Sequence, residues 1–302
     1  MRIATYWWGG RRQVGRISAD AKSVTPFALQ DARGGRGERA RDAGALALIE
    51  RLADAGSMPP AGGAALPLSA VKLDAPIPRP RRNIFCAGIN YRAHAKEWAA
   101  SGIESASDSA PAGMRENEYP VIFSKVPECV IGPGDAIRLQ GGMSQAVDYE
   151  AELAVVIGKG GRAISRTRAL EHVFGYTIVN DVTARDVQKR HRQFLLGKSL
   201  DTFCPMGPWI VTPDEVNAAD TRVRCWVNDE LRQDASTRDL IFDVAALIES
   251  ISAGVSLVPG DVIATGTPGG VGIGFDPPKY LQRGDRVRIE IDGIGVLENA
   301  VA

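Results

Sequence analysis

The chain carries no excess of charge of either sign: 36 Lys and Arg residues balance 36 Asp and Glu. Without a net field nothing draws it to nucleic acid or to an acidic membrane surface, so any charge selectivity must be local. A Cys-x-x-Cys pair is also missing. The four cysteines, Cys86, Cys129, Cys204 and Cys225, stand far apart, which excludes a zinc knuckle or a redox dithiol and leaves reduced, mostly buried thiols. No window reaches the roughly 18 consecutive apolar residues of a membrane span. The opening MRIATYWWGGRR has too short an apolar run for a secretory signal, and a cytoplasmic protein is expected. Arg79, Arg81 and Arg82 form a short basic run in a Pro-rich stretch; in a chain of zero net charge they read as solvated punctuation, not as a nucleic-acid contact.

What is present describes a folded protein. With 302 residues, 44% of them hydrophobic and 24% charged, the chain can bury a substantial core in one large domain or in a large domain with a small companion. Up to residue 76 the pattern is a short strand at 2–8, a Gly-rich turn, more strand, and a helix whose stripe is Ala45, Leu46, Ile49, Leu52 and Ala53, capped by Asp42 and stopped at Gly56. Pro76, Pro78 and Pro80 punctuate the chain, and a domain boundary is placed near Asp74, giving a small N-terminal domain at 1–76 and a catalytic domain at 77–302. Beyond Asn83 strands dominate, at 84–86, 121–124, 136–139, 151–157, 176–180, 209–211, 222–227, 261–264 and 287–291, with one good helix from an Asp239 cap to Gly254. Strands without regular helical crossovers predict a β-rich α+β fold and not a doubly wound sheet.

Candidate chemistry concentrates in a few segments. Glu150 and Glu152 lie two apart at the start of an apolar strand, so in extended chain both project from one face. Two glutamates on a solvated face are the commoner arrangement, but the run Leu-Ala-Val-Val-Ile that follows argues against it. Buried together they would repel unless a cation lay between them. Asp181 ends another apolar strand, and ligation by oxygen alone suits Mg²⁺ or Mn²⁺ better than Zn²⁺. His94 and Glu97 are spaced i and i+3, adjacent on a helix, where a carboxylate can orient an imidazole as a base; taken alone such a pair reads as a surface ion pair. Gly197-Lys198-Ser199 fails as a phosphate-binding loop because Arg192 stands where the first glycine is required. The stretch Thr265 to Gly272 opens into Phe275-Asp276-Pro277-Pro278 and not into a helix, so a dinucleotide fingerprint is excluded. It is either a ligand-binding loop or a tight turn, with Thr267 exposed in both cases. Residues 99–118, AASGIESASDSAPAGMRENE, are poor in large apolar side chains and read as a lid over the site or as a surface insertion.

The ordered series GINYRAHAKE, FSK, DYEAELAVVIGK, GYTIVNDVTARDVQ, GKSLDTFCPMGPWI and LVPGDVIATGTPGGVG resembles the fumarylacetoacetate hydrolase family over roughly residues 83 to 300. The resemblance implies a mixed β-roll with few helices, usually a homodimer. By motif position it assigns Glu150, Glu152 and Asp181 to Mg²⁺ or Mn²⁺, Lys198 to negative charge on the substrate, and His94 with Glu97 to water activation. Tyr91, Arg185, Gln188 and Thr267 would line the site of a small 2-oxo acid. The N-terminal part is unlike that of the animal fumarylacetoacetases, so fumarylacetoacetate itself is not the expected substrate. Because hydrolysis requires a base and decarboxylation of a chelated oxo acid does not, the dyad favours a hydrolase that cleaves a carbon-carbon bond of an acylpyruvate in aromatic or sugar-acid catabolism. The alternative on the same site is an oxaloacetate decarboxylase or a hydroxyheptadienedioate isomerase.

Overall fold

The computed structural model describes residues 1–29, 43–100 and 119–302. Asp42 and residues 101–118 of the expected lid lie outside the described residues. In chain order the strands are β1 (Arg2–Trp8), β2 (Arg11–Ile17), β3 (Ser23–Pro26), β4 (Leu66–Pro67), β5 (Lys72–Asp74), β6 (Ile84–Gly88), β7 (Val121–Lys125), β8 (Val130–Ile131) and β9 (Val147–Asp148). They continue with β10 (Ala151–Ile157), β11 (Val173–Asn180), β12 (Thr183–Ala184), β13 (Cys204–Val211), β14 (Arg222–Val227), β15 (Glu230–Ser236), β16 (Val262–Ala264), β17 (Arg286–Ile291) and β18 (Gly295–Ala300). The described helices are α1 (Ala45–Ala55), α2 (Arg92–Ala100), α3 (Arg185–His191), α4 (Phe194–Lys198) and α5 (Val244–Ser252).

Strand β10 organises the molecule. Every one of its residues is buried, as a strand covered on both faces must be. Its alternation of side chains divides the core in two. Leu153, Val155 and Ile157 pack with the four-stranded sheet β15-β14-β17-β18 and with Leu247, Ile248 and Ile251 of α5. Ala154 and Val156 belong to the opposite layer with Leu46, Leu48 and Ile49 of α1. The large sheet runs β4-β3-β2-β1-β13-β11-β10-β16-β6-β7, with β5 added on β1 and β8 on β13. Its pairings are antiparallel except β16 with β6 and β13 with β8. This is the β-rich α+β fold expected. Strands on both sides of the anticipated boundary near residue 76 share this sheet, since β1 pairs with β13.

Local signals located most of the central strands, but not their neighbours. The expected strand at 136–139 is reduced to an isolated bridge between Ile137 and Val301. The polar β15 and β18 became strands because β14 and β17 offer them open edges. Helix α1 ends at Gly56 in the left-handed conformation, as expected; Thr5 of β1, by accepting from Ala45 N at 3.0 Å, caps its start from another element. The cap assigned to Asp239 is corrected: Asp239 closes a single 3-10 turn, and Asp243 caps α5 by accepting from Ala246 N at 2.8 Å. The intervening residues are held elsewhere. Leu240 bridges Tyr91, and Ile241 N donates to Asn90 O. Arg81 pairs with Glu50 and Arg82 with Asp261, so both are engaged within the chain. The four cysteines are free and buried, and no described helix is long and apolar enough to cross a membrane.

Asn90 ties the start of α2 to two other segments. Its amide donates to Phe242 O at 2.9 Å and Thr265 O at 2.7 Å, and its Oδ1 accepts from Phe242 N at 2.8 Å. Asn90→Ala should therefore cost about 2 kcal/mol or more, because buried backbone groups lose their partners, with the urea midpoint as the measurement. An unchanged midpoint would mean that these bonds do not hold α2 against the rest.

Candidate active site

Antiparallel register brings the carboxylates together. Ala151 faces Asn180 across β10 and β11, so Glu150 and Asp181 leave their strands side by side, joined by Asp181 N donating to Glu150 O at 2.9 Å. Glu152 is the second residue of β10, where its Oε2 accepts from Gly266 N at 2.8 Å. That approach needs glycine: Gly266 has φ +99°, and a Cβ there would meet the Asn90 Cβ at 2.7 Å. Glu150, Glu152 and Asp181 each bring one oxygen within 4.8 Å of the others, and all three are buried.

Three buried cations surround them. Lys198, at the end of α4, donates to Glu150 Oε2 at 2.7 Å and Asp181 Oδ2 at 2.8 Å. Lys125, the last residue of β7, donates to Asp181 Oδ1 at 2.7 Å, to Val182 O at 3.2 Å and to the carbonyl of Lys198. Arg185, opening α3, donates from Nε to Asp148 Oδ2 at 2.9 Å. Its Nη2 lies 2.7 Å from Glu150 Oε1, as an ion pair without hydrogen-bond alignment. Asp148 is anchored in turn by Gly272 N at 2.7 Å and Ile273 N at 3.1 Å.

The electrostatics differ sharply between the two glutamates. Burial alone would raise the Glu150 carboxyl, yet the Lys198 ammonium and the Arg185 guanidinium beside it bring it down to about 2. Glu152 has no cation in direct contact among the described residues; burial, with the charges of Asp181 and Glu150, pushes its carboxyl well above the usual range, so its ionisation calls for a further positive charge. A hard divalent cation fits the three-oxygen cluster: the donors are all carboxylate oxygens, they converge, and the ion would relieve the repulsion that Glu152 bears.

His94 and Glu97 sit on α2. His94 is only 4% exposed, so the surface ion-pair reading does not hold. Its Nδ1 lies 3.5 Å from Glu97 Oε2, while Glu97 Oε1 accepts from Gly270 N at 2.7 Å. Neither Nδ1 nor Oε2 has a hydrogen-bond partner among the described residues, so the carboxylate acts on the imidazole as a nearby negative charge, which favours a proton on Nδ1 over one on Nε2. His94, Glu150, Glu152, Arg185, Gln188, Lys198 and Thr267 line one cavity with Phe123 and Phe194. Its volume, about 20 Å³, has room for roughly one water or ion.

The remaining expected residues fall around this cavity. Gln188 is buried and accepts from Arg185 Nη1 at 3.4 Å. Thr267 was expected to be exposed; it is buried, because Gln233 Nε2 donates to its hydroxyl at 2.7 Å while Gln233 Oε1 accepts from Ala151 N at 3.0 Å. Tyr91 is buried beside the site, but is not part of the lining, and its hydroxyl has no partner among the described residues. Lys125, Asp148 and Gln233 were missed as site residues. The first two lie within the motifs FSK and DYEAEL, where a polar residue at the end of an apolar strand was the available signal.

With chelators removed, the protein should take up one Mg²⁺ or Mn²⁺ per chain in calorimetry. Glu152→Gln should weaken that binding by about tenfold or more, since it removes an anionic oxygen donor. Stoichiometric binding of equal strength in the variant would put the ion elsewhere.

Comparison with known proteins agrees with this geometry. Residues 83–302 match the family model described as fumarylacetoacetate (FAA) hydrolase C-terminal. The oxaloacetate tautomerase YisK of Bacillus subtilis (strain 168) is 51% identical over 235 residues, which are 78% of this chain and 74% of the relative. The solved fumarylacetoacetate hydrolase of Exiguobacterium antarcticum superposes with a TM-score of 0.82 at 41% identity, covering 100% of this chain and 99% of that one. The maleylpyruvate hydrolase of Sphingobium sp. SYK-6, solved in complex with manganese(II) ion and pyruvate, superposes with a TM-score of 0.74 at 33% identity over the same shares. Motif order, carboxylate cluster and whole-chain superposition converge, and the chain belongs to the fumarylacetoacetate hydrolase family of metal-dependent enzymes.

Proposed function

We propose that this enzyme moves a proton between C3 and the 2-oxygen of oxaloacetate, interconverting its enol and keto forms, with Mg²⁺ or Mn²⁺ held by Glu150, Glu152 and Asp181. The observation that carries this reading is the His94 imidazole, oriented by Glu97 and opening onto the cavity that Glu150, Glu152 and Lys198 share. The similarity to an oxaloacetate tautomerase supports it. Acylpyruvate hydrolysis, favoured on the sequence, has weaker support: the dyad that argued for it serves proton transfer at carbon equally well, because a base that can take a proton from water can take one from an acidic C–H.

A cation held by Glu150, Glu152 and Asp181 would supply Lewis acidity at the 2-oxygen and so make the C3 proton more acidic. The protein does the rest. In the keto-to-enol direction His94 Nε2 receives the C3 proton and returns it to the 2-oxygen, the neighbouring Glu97 carboxylate stabilising the imidazolium in between; the reverse direction runs the same transfers backwards. Lys198 presents an ammonium to the negative charge that gathers on the 2-oxygen, in a cavity dry enough for that charge pairing to be strong. Thr267 and Gln188 complete the substrate-binding lining, with Arg185 behind them holding Glu150. Phe123 and Phe194 pack edge to face at 5.2 Å and keep water from the enolate. Two copies of the chain are proposed to associate, supported by the exposed Leu195 and Leu196 of α4 near Ile122 of β7, which ends the large sheet. Light scattering of the purified protein checks this, and a monomer mass would refute it.

The enol of oxaloacetate absorbs in the ultraviolet and the keto form much less, so its decay is the assay. With Mg²⁺ present the protein should accelerate that decay, and His94→Ala should lose about a hundredfold or more of the turnover. Release of labelled acetate from acetylpyruvate in isotopic water, with no effect on oxaloacetate tautomerisation, would return the hydrolase reading.

A further inference from the structure

Outside the dyad and the cavity lining lies a fully buried lysine that the mechanism does not use. Lys125 is 0% exposed, and its ammonium is spent on Asp181 Oδ1 and on two backbone carbonyls. Glu152 shows a similar arrangement, its Oε2 accepting from Gly266 N at 2.8 Å, whereas Glu150 Oε1 has only the unaligned contact with Arg185 Nη2 at 2.7 Å. Asp181 and Glu152 thus each have one oxygen hydrogen-bonded by a donor that does not line the cavity. Asp181 Oδ2 and Glu150 Oε2 accept from Lys198 at 2.8 and 2.7 Å; Lys198 does line the cavity, so a cation entering there would compete with it for these two oxygens.

We infer that Lys125 is a positioning residue that sets which cation the site accepts. It occupies the second oxygen of Asp181 and so restricts that carboxylate to a single bond to a metal. The engaged oxygen of Glu152 extends the restriction to a second ligand. Ca²⁺ takes six to eight oxygens, commonly with a bidentate carboxylate, at about 2.3–2.6 Å; Mg²⁺ wants single oxygens in an octahedron at about 2.0–2.1 Å. With two of the three carboxylates limited to one oxygen each, the site offers Ca²⁺ few protein donors and leaves Mg²⁺ or Mn²⁺ well served. Removing the Lys125 ammonium frees Asp181 Oδ1, and the carboxylate can then turn to present both oxygens. Its loss also leaves the carbonyls of Val182 and Lys198 without that donor, so some destabilisation accompanies the change. Cation preference, unlike stability, would not move if Lys125 only held the fold together.

The inference rests on the metal reading of Glu150, Glu152 and Asp181, and titration calorimetry of metal-free protein with Mg²⁺, Mn²⁺ and Ca²⁺ separates the two. In the unaltered protein Ca²⁺ should bind about tenfold or more weaker than Mg²⁺, following the difference in preferred ligand number. In Lys125→Met, with folding checked by circular dichroism, the ratio of the two dissociation constants should shift toward Ca²⁺ by a comparable factor. Tight, equal binding of Ca²⁺ and Mg²⁺ to the unaltered protein would overturn the inference without any variant being needed, as would an unchanged ratio in folded Lys125→Met. Failure of all three ions to bind would instead overturn the metal reading itself.

Discussion

Everything in this protein turns on burying charge at one point. Asp148, Glu150, Glu152 and Asp181 are each no more than 4% exposed, and Lys125, Arg185 and Lys198 no more than 3%. Four carboxylates against three cations leave one negative charge in excess, His94 aside. Desolvating such groups costs several kcal/mol for each ion unless every charge meets a partner in good geometry. Here the partners are nearly complete for Asp148, Glu150 and Asp181, whereas Glu152, with the Gly266 amide as its donor, is pushed toward its neutral form. A divalent cation would favour ionisation of Glu152 and bring the formal balance to one positive charge, which would suit a small anionic ligand.

The topology serves that charge cluster. Strands β10 and β11 deliver Glu150, Glu152 and Asp181 from adjacent ends. Strand β16 ends beside them and sends Gly266 to Glu152, and β7, at the edge of the same sheet, contributes Lys125. The second sheet supplies Gln233, which fixes both the β10 backbone and the Thr267 hydroxyl. Such a cluster could not be built on loops alone, because displacing any one charge from its partner leaves another unpaired in a medium that screens it poorly. The rigid central sheet is thus a condition of the chemistry.

The chemistry itself is less particular than the site. A cation opposite an imidazole with a lysine beside it can support any step that gathers negative charge on the 2-oxygen of an oxo acid. Hydrolysis, decarboxylation and tautomerisation share that requirement.

The parts legible without a structure were those that local pattern encodes. Strand periodicity determined that Glu150 and Glu152 share a face, helical spacing determined that His94 and Glu97 are neighbours, and Gly56 marked the end of α1, because each depends only on the chain's own repeat. Lys125, Asp148 and Gln233 carried no such mark. A lysine closing an apolar strand, an aspartate before a tyrosine or a glutamine in a polar edge strand looks solvated until its partner is known. Those partners lie 56, 37 and 34 residues away in sequence, on Asp181, Arg185 and Thr267. Only the order of strands in the sheet brings them together, since that order is chosen by burial of the whole core and by the balance of its charges, and no segment of the chain records it alone.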